Sequence, residues 1–178
     1  SEQATYSFGS NNLRFGVLEP TVATSGSNSL EPDGRLKQPF YWNGASWRKL
    51  TYSSYSLDFV MKAGGSADTH ESGTALDLSG AAAVDASALN AEGYGTLIVS
   101  QSVSSEGATI HVTREYSIAN WRSRIAIMTV KVRAEGGSVA NVRVWMGTGD
   151  DYVGGTDRPT KEIGDFDETG AFVPKQDG

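Results

Sequence analysis

Between Thr96 and Gly147 the chain lays down four strand-like runs in succession: TLIVSQSV, ATIHVTREYSI, SRIAIMTVKVRA and SVANVRVWM. Only short breaks such as SSEG, ANW and EGG separate them. In the second run Ile110, Val112, Tyr116 and Ile118 share one face, and His111, Thr113, Glu115 and Ser117 share the other. That alternation is the period of a half-buried strand. In the third run Ile125 and Ile127 alternate with Arg124, Ala126 and Met128, and near its middle both faces are apolar. The breaks are too short for crossover helices, so the four runs predict an antiparallel meander and exclude a parallel α/β sheet. The expected fold is all-β, an antiparallel β-sandwich with long loops and at most one or two short helices.

The rest of the chain fits that expectation unevenly. Residues 39–53, PFYWNGASWRKLTYS, read as two strands around Asn43-Gly44, a dipeptide that tolerates the positive φ of a tight hairpin turn. Leu57 to Lys62 reads as another strand. Thr21 to Leu36 reads as a polar loop. Gly80 to Gly93 has the Ala and Leu content for one short helix, with Ser79 or Asp85 as its cap.

With 178 residues the chain suits one domain, residues 1–178. Hydrophobic residues make up 38%, enough for a core and against wholesale disorder. The formal net charge of −6 argues against a surface built to neutralise phosphates, so nucleic acid is not an expected partner. No run approaches the ~18 apolar residues of a membrane span. The first residues, SEQATYSF, lack the basic and apolar pattern of a leader. The chain has no Cys, which excludes disulfide scaffolds, thiol catalysis and zinc-thiolate sites.

Directly after VRVWM comes GTGDDYVGGTDRPTKEIGDFDETGAF. Residues 147–170 hold seven carboxylates in 24 residues: Asp150, Asp151, Asp157, Glu162, Asp165, Asp167 and Glu168. Hard oxygen donors on a glycine-containing loop are what calcium requires, with 6–8 oxygens including backbone carbonyls. The glycines permit the tight turns that aim carbonyls inward. The spacing is neither that of an EF-hand nor that of calcium-binding β-roll repeats. The plain alternative is a solvated acidic surface. As ion ligands the sequence offers Asp150, Asp151 and Asp157, then Asp165 and Asp167. Thr148, Gly149, Gly155 and Thr156 supply further carbonyl or hydroxyl oxygens. Arg158 and Lys161 lie near enough to help hold an anion, Arg in bidentate fashion, or else simply balance the acidic charge. Tyr152 either walls a pocket or anchors the loop.

The segment Val144 to Asp167, VWMGTGDDYVGGTDRPTKEIGDFD, resembles part of the calcium-dependent peptide-binding domains of very large bacterial adhesins of the repeats-in-toxin type. The likeness covers little more than this segment. It implies a β-sandwich whose calcium holds the free C-terminal carboxylate of a peptide on a host or neighbouring-cell protein. It also implies an extracellular setting at the bacterial surface, as in biofilm adhesion, within a monomeric module of a larger protein. The chain stops at VPKQDG without an obvious closing strand, so such a domain would be completed beyond residue 178 or on another piece of the parent protein. The runner-up is a calcium-dependent glycan-binding sandwich, since exposed aromatic rings serve as sugar platforms and the chain has four Trp. Most of these read as packing residues, with Trp42 or Trp47 as the ligand-facing candidates. A third class is a structural spacer stiffened by calcium.

No nucleophile elbow, phosphate loop or dinucleotide fingerprint is present. The expectation is a binding protein and not an enzyme. His70 sits beside Asp68 and Glu71 without metal-ligand spacing. His111 and Glu115 share a strand face but lie ~13 Å apart along it, too far for a dyad.

Overall fold

The computed structural model describes residues 5–16, 28–52, 56–66, 73–148, 164–166 and 172–174. Among these the chain is all-β, and all strand pairings are antiparallel. Strands β1 (Leu13–Phe15), β2 (Pro39–Trp42) and β3 (Trp47–Lys49) form one sheet, in that order. Strands β4 (Asp58–Ala63), β5 (Thr74–Ala75) and β10 (Arg143–Gly147) form a second, with β4 in the middle. The main sheet runs β6 (Ala83–Asp85), β7 (Gly95–Ser105), β8 (Ala108–Ile118) and β9 (Ile127–Glu135). A short pair, β11 (Gly164–Phe166) and β12 (Phe172–Pro174), completes the set.

Strand β8 is the spine. Its even-numbered residues from Ala108 to Ile118 are buried, and the odd ones between them are half-exposed. This is the alternation the sequence predicts. The turn into β8 is set by Glu106 at φ 51° and Gly107 at φ 79°, two successive left-handed residues. Such a turn matches the twist of the strands it joins and keeps the hairpin in register from Gly95↔Ile118 to Ser105↔Ala108.

Two apolar clusters lie against the buried face of β8. One joins Leu97, Val99, Tyr116 and Ile118 to Phe8, Phe15, Leu30 and Leu36. The other joins Ile110 and Val112 to Phe59, Met61 and Ala63 of β4 and to Leu76. The first cluster lies under the β1 side of the molecule and the second under the β4 sheet. Phe8 stacks on Phe15 at 5.6 Å between ring centroids and tilts against Tyr116 at 6.4 Å.

Between the clusters, on the same inward face of β8, sits Arg114. It is 1% exposed. Its Nη2 donates to the carbonyl of Asp33 and to Gln101 Oε1. Its guanidinium lies 4.8 Å from the Phe59 ring centroid, while its Nε finds no partner among the described residues. Tyr116 donates to the Gly34 carbonyl at 3.0 Å. The turn at Asp33–Gly34 is thus pinned by two residues of one strand. Only glycine fits at position 34: φ is +78°, and a Cβ there would stand 2.2 Å from Val99 Cγ1.

Three local readings change. The runs between Thr96 and Gly147 are not one meander, because β10 leaves β9 and pairs with β4, from Arg143↔Lys62 to Gly147↔Asp58. The crossing is fixed where the Gly64 N–H donates to the Ala140 carbonyl at 2.8 Å and the Asn141 side chain donates to the Gly65 carbonyl at 2.7 Å. Gly80 to Gly93 holds strand β6 and turns, not a helix. Ala82, Val84 and Ala86, two apart, pack on the first cluster, and that period of two prevails over the helix propensity of alanine. Asp85 accepts from Ser87 N–H at 2.9 Å, capping a turn. The segment Thr21 to Leu36 is not all polar loop: Leu30 and Leu36 are core residues that bridge one another across the 31–34 turn.

Arg114→Leu strands two acceptors, and we expect it to lower stability by about 2–4 kcal/mol in denaturant unfolding. An unchanged midpoint would show that the polar seam contributes nothing net. Burial raises the Tyr116 pKa, partly opposed by Arg114. A phenol whose folded pKa lies above its unfolded value stabilises the fold below the unfolded value of about 10 and loses that contribution as pH rises through the folded one. Alkaline unfolding should therefore be weaker in Tyr116→Phe relative to its own neutral-pH stability, which parallel pH series would read.

Candidate functional site

The predicted ion ligands and anion-binding residues fall almost wholly outside the described residues. Gly149, Asp150, Asp151, Tyr152, Gly155, Thr156, Asp157, Arg158, Lys161 and Asp167 all do. Two residues of that prediction lie within them. Thr148 follows the end of β10 and is half-buried. Asp165 is the central residue of β11, opposite Val173 of β12. His70 also falls outside the described residues, and among those described no three His, Asp or Glu side chains gather as a metal site.

His111 lies on the outward face of β8. Its Nδ1 is 2.9 Å from Ser102 Oγ and its Nε2 is 3.0 Å from Glu135 Oε2. Glu115 pairs instead with Lys131 at 3.1 Å, as the strand spacing requires. Glu135 also meets Arg133 at 2.9 Å, and that contact, ahead of His111, holds its pKa below the ordinary carboxylate value. This is a cross-strand polar network on a solvent-facing sheet. It needs no catalytic role.

An open concavity among the described residues lies elsewhere. It is a cleft of about 470 Å³ with three tryptophans in its wall, Trp42, Trp47 and Trp121. The β2–β3 hairpin supplies the first two. Trp42 pairs with Trp47 across the last register of that hairpin, and the rings meet edge to face at 5.7 Å. The loop between them has four residues. Asn43 Oδ1 accepts from the backbone N–H groups of Ala45 and Ser46, and Gly44 takes φ 100°. The sequence reading expects a turn at Asn43-Gly44, and the turn is there with Gly44 alone left-handed.

Trp121 and Arg122 come from the connection between β8 and β9. Asn11, Asn12 and Arg14 come from the approach to β1 and from β1 itself. These remote pieces are tied by hydrogen bonds from the backbone of Asn11 and the side chains of Asn12 and Ser10. Asn11 N–H donates to the Trp121 carbonyl at 2.7 Å, the Asn12 amide donates to the Arg122 carbonyl at 2.7 Å, and Ser10 Oγ donates to the Ser123 carbonyl at 2.6 Å. Trp42 N–H donates to the Asn12 carbonyl at 3.0 Å, which locks the hairpin to the same loop.

Each arginine lies over an indole. Arg14 is 5.1 Å from the Trp47 ring centroid and Arg122 is 4.7 Å from that of Trp121. Arg14 Nε donates to the Ser10 carbonyl at 3.1 Å. Burial lowers the Arg14 pKa, yet a guanidinium stays cationic at neutral pH. Trp42 is 39% exposed and Trp121 45%, large apolar surfaces for a folded protein to leave in water. Trp42 and Trp47 are the ligand-facing candidates of the sequence reading. Trp121 and the two arginines were not among them. For Trp121 and Arg122 the one signal is the ANWR break, which sits between two strong strand runs and holds both an aromatic and a cation; Arg14 has no such signal.

No protein-family model matches the chain, and no curated protein or solved structure matches it either.

The edge-to-face indole pair should give an exciton couplet in the far-ultraviolet circular dichroism spectrum. Either Trp42→Phe or Trp47→Phe should remove it, and Trp121→Phe should leave it. A couplet that survives both hairpin variants would mean the pair is not formed in solution.

Proposed function

We propose that the chain is a calcium-dependent binding module of a bacterial surface adhesin, a β-sandwich that grips the free C-terminal carboxylate of a peptide. One observation carries this reading. Residues 148–163 of the glycine-interleaved acidic segment stand between two antiparallel pairings in sequence, β10 with β4 before them and β11 with β12, which includes Asp165, after them. Segments that connect strands are where a β-protein usually carries its binding function.

The donor set fits the ion. It is made of carboxylates, hydroxyls and backbone carbonyls, with no Cys in the chain and no His in the segment. That favours a hard, oxygen-seeking cation over zinc or copper. On this reading Asp150, Asp151 and Asp157 hold calcium, with Asp165, Asp167 and the carbonyls of Gly149 and Gly155 completing the oxygen shell. A calcium ion with an exchangeable position accepts a carboxylate in place of water. Arg158 and Lys161 then share the ligand's negative charge, and Tyr152 and Thr156 line its seat. The role needs no general acid or base.

A calcium-dependent glycan-binding module of the same architecture is the second reading. The observation favouring it is the cleft formed by Trp42, Trp47 and Trp121.

An ion that binds only the folded state stabilises it by mass action. Near-hundredfold saturation corresponds to about 2.7 kcal/mol, or roughly 5–10 °C for a domain of this size. We expect the thermal midpoint to rise by that amount with millimolar calcium relative to excess EGTA. No rise would remove calcium from the proposal. Given a rise, a fluorescent peptide with a free C-terminus should bind and its amidated twin should not. Equal binding of the two would overturn carboxylate coordination, and displacement by neutral sugars would favour the glycan reading.

A further inference from the structure

The tryptophan cleft has an electrostatic character opposite to that of the chain. The protein carries a formal net charge of −6, with 21 acidic residues against 15 Lys and Arg. Yet the described residues that line the cleft include two arginines and no acidic residue. Both guanidiniums lie over indoles, which fixes their planes and leaves edge N–H groups for a ligand. Beyond the bond from Arg14 Nε to Ser10, neither guanidinium makes another hydrogen bond or ion pair among the described residues. The side chain of Asn11 is exposed at the same rim.

We infer that this cleft is a calcium-independent binding site for acidic oligosaccharides, in which indole faces carry the sugar rings and Arg14 and Arg122 hold a uronate carboxylate. The inference deepens the glycan reading and rests on it for the class of ligand, but not on calcium, since none of the described residues lining the cleft belongs to the acidic segment. Three features favour this occupant. Sugar rings present a flat C–H face that covers an indole without needing a deep pocket, and this cleft is open and shallow. A carboxylate matches the guanidinium fork in a bidentate way that a hydroxyl does not. The asparagines add amide groups suited to ring hydroxyls. An acidic peptide would use the same arginines, but it would gain less from three indoles arranged around one opening.

Because acidic sugars chelate calcium, the test is run in EGTA. The probes are tetragalacturonate and its fully methyl-esterified form, which share a skeleton and differ in charge. Isothermal titration calorimetry on the full chain should show binding of the acid, with the ester at least about tenfold weaker, as the loss of a charge-assisted hydrogen bond implies. Arg122→Ala should weaken the acid about tenfold and leave the ester unchanged. Trp42→Ala should abolish binding of both while lowering the thermal midpoint modestly, since it removes the indole pair with Trp47, and Arg122→Ala, at an exposed residue, should keep the parent's thermal midpoint. Equal affinity for acid and ester would overturn the anionic preference while leaving a glycan cleft. No binding of either probe would overturn the cleft as a glycan site altogether. Undiminished binding in an Arg122→Ala, Trp42→Ala double variant would place the site elsewhere and overturn the inference.

Discussion

A buried cation, Arg114, sits at the point where the two halves of the interior meet. Ile110 and Val112 precede it on the inward face of β8 and belong to one apolar cluster, while Tyr116 and Ile118 come after it and belong to the other. Its partners are drawn from three places: the carbonyl of the 31–34 turn, Gln101 on β7 and the Phe59 ring on β4. A charged group out of water is costly unless its hydrogen bonds are met. An arrangement that brings turn, strand and ring to the guanidinium together gives Nη2 its two acceptors, while Nε has no partner among the described residues. That requirement gives the seam directionality that packed leucines and valines lack. It also explains why the turn must carry glycine at position 34, since a side chain there would collide with Val99 and crowd the guanidinium.

The same seam sets what lies at the periphery. With the 31–34 turn held down, Arg35 reaches Asp33 at 2.7 Å and Asp58 at 3.2 Å, linking the turn to the first residue of β4. Opposite Asp58 is Gly147, the last residue of β10. A chain of contacts thus runs from the buried arginine to the end of the strand from which the acidic segment departs. These ion pairs are partly exposed and contribute little energy by themselves. Their consequence is positional. Strand β10 is less well covered: Val144, Trp145 and Met146 are all substantially exposed, so neither of its faces is a full core face. Sequence alternation reads one of Val144 and Trp145 as facing away from the core, and in the structure neither is fully covered.

How far the sequence discloses this structure depends on the range of the interaction. The β8 alternation, the β7–β8 turn and the Trp42–Trp47 hairpin are legible because each is settled within a dozen residues. Even Arg114 is implied by register, since a residue between Val112 and Tyr116 on a two-residue period has to point inward. It escapes notice only because arginine is counted as polar. The pairing of β10 with β4 is not legible, because adjacent strand runs ordinarily pair and the exception turns on contacts near Gly64 and Asn141, about 80 residues apart in sequence. Strand β6 is hidden by the helix preference of alanine, although the spacing of Ala82, Val84 and Ala86 carries the signal. The cleft is half legible: its hairpin tryptophans share a local motif, but Trp121 joins them through backbone bonds to Asn11 that no local pattern encodes. The acidic segment is legible as composition alone, for nearly all its carboxylates lie outside the described residues.

Both readings of function answer one physical problem, which is how an acidic protein attracts an anion. At physiological ionic strength the screening length is about 8 Å, so the net charge of −6 repels a ligand only weakly once it is near the surface, and local charge decides. One solution imports positive charge: a carboxylate-rich loop binds a divalent cation, and the cation presents an open position to the ligand. The other builds it in: guanidiniums are placed over indoles and, among the described residues, make no ion pair with a carboxylate, as at Arg14 and Arg122. The first is switched by the calcium level and the second is constant. An extracellular module with both would hold a polyanionic surface at all times and a peptide terminus only where calcium is plentiful. The two sites need not communicate for this, because each depends on its own part of the chain. The cleft rests on bonds among residues 10–14, 42 and 121–123, and the acidic segment follows the C-terminal end of β10 in sequence.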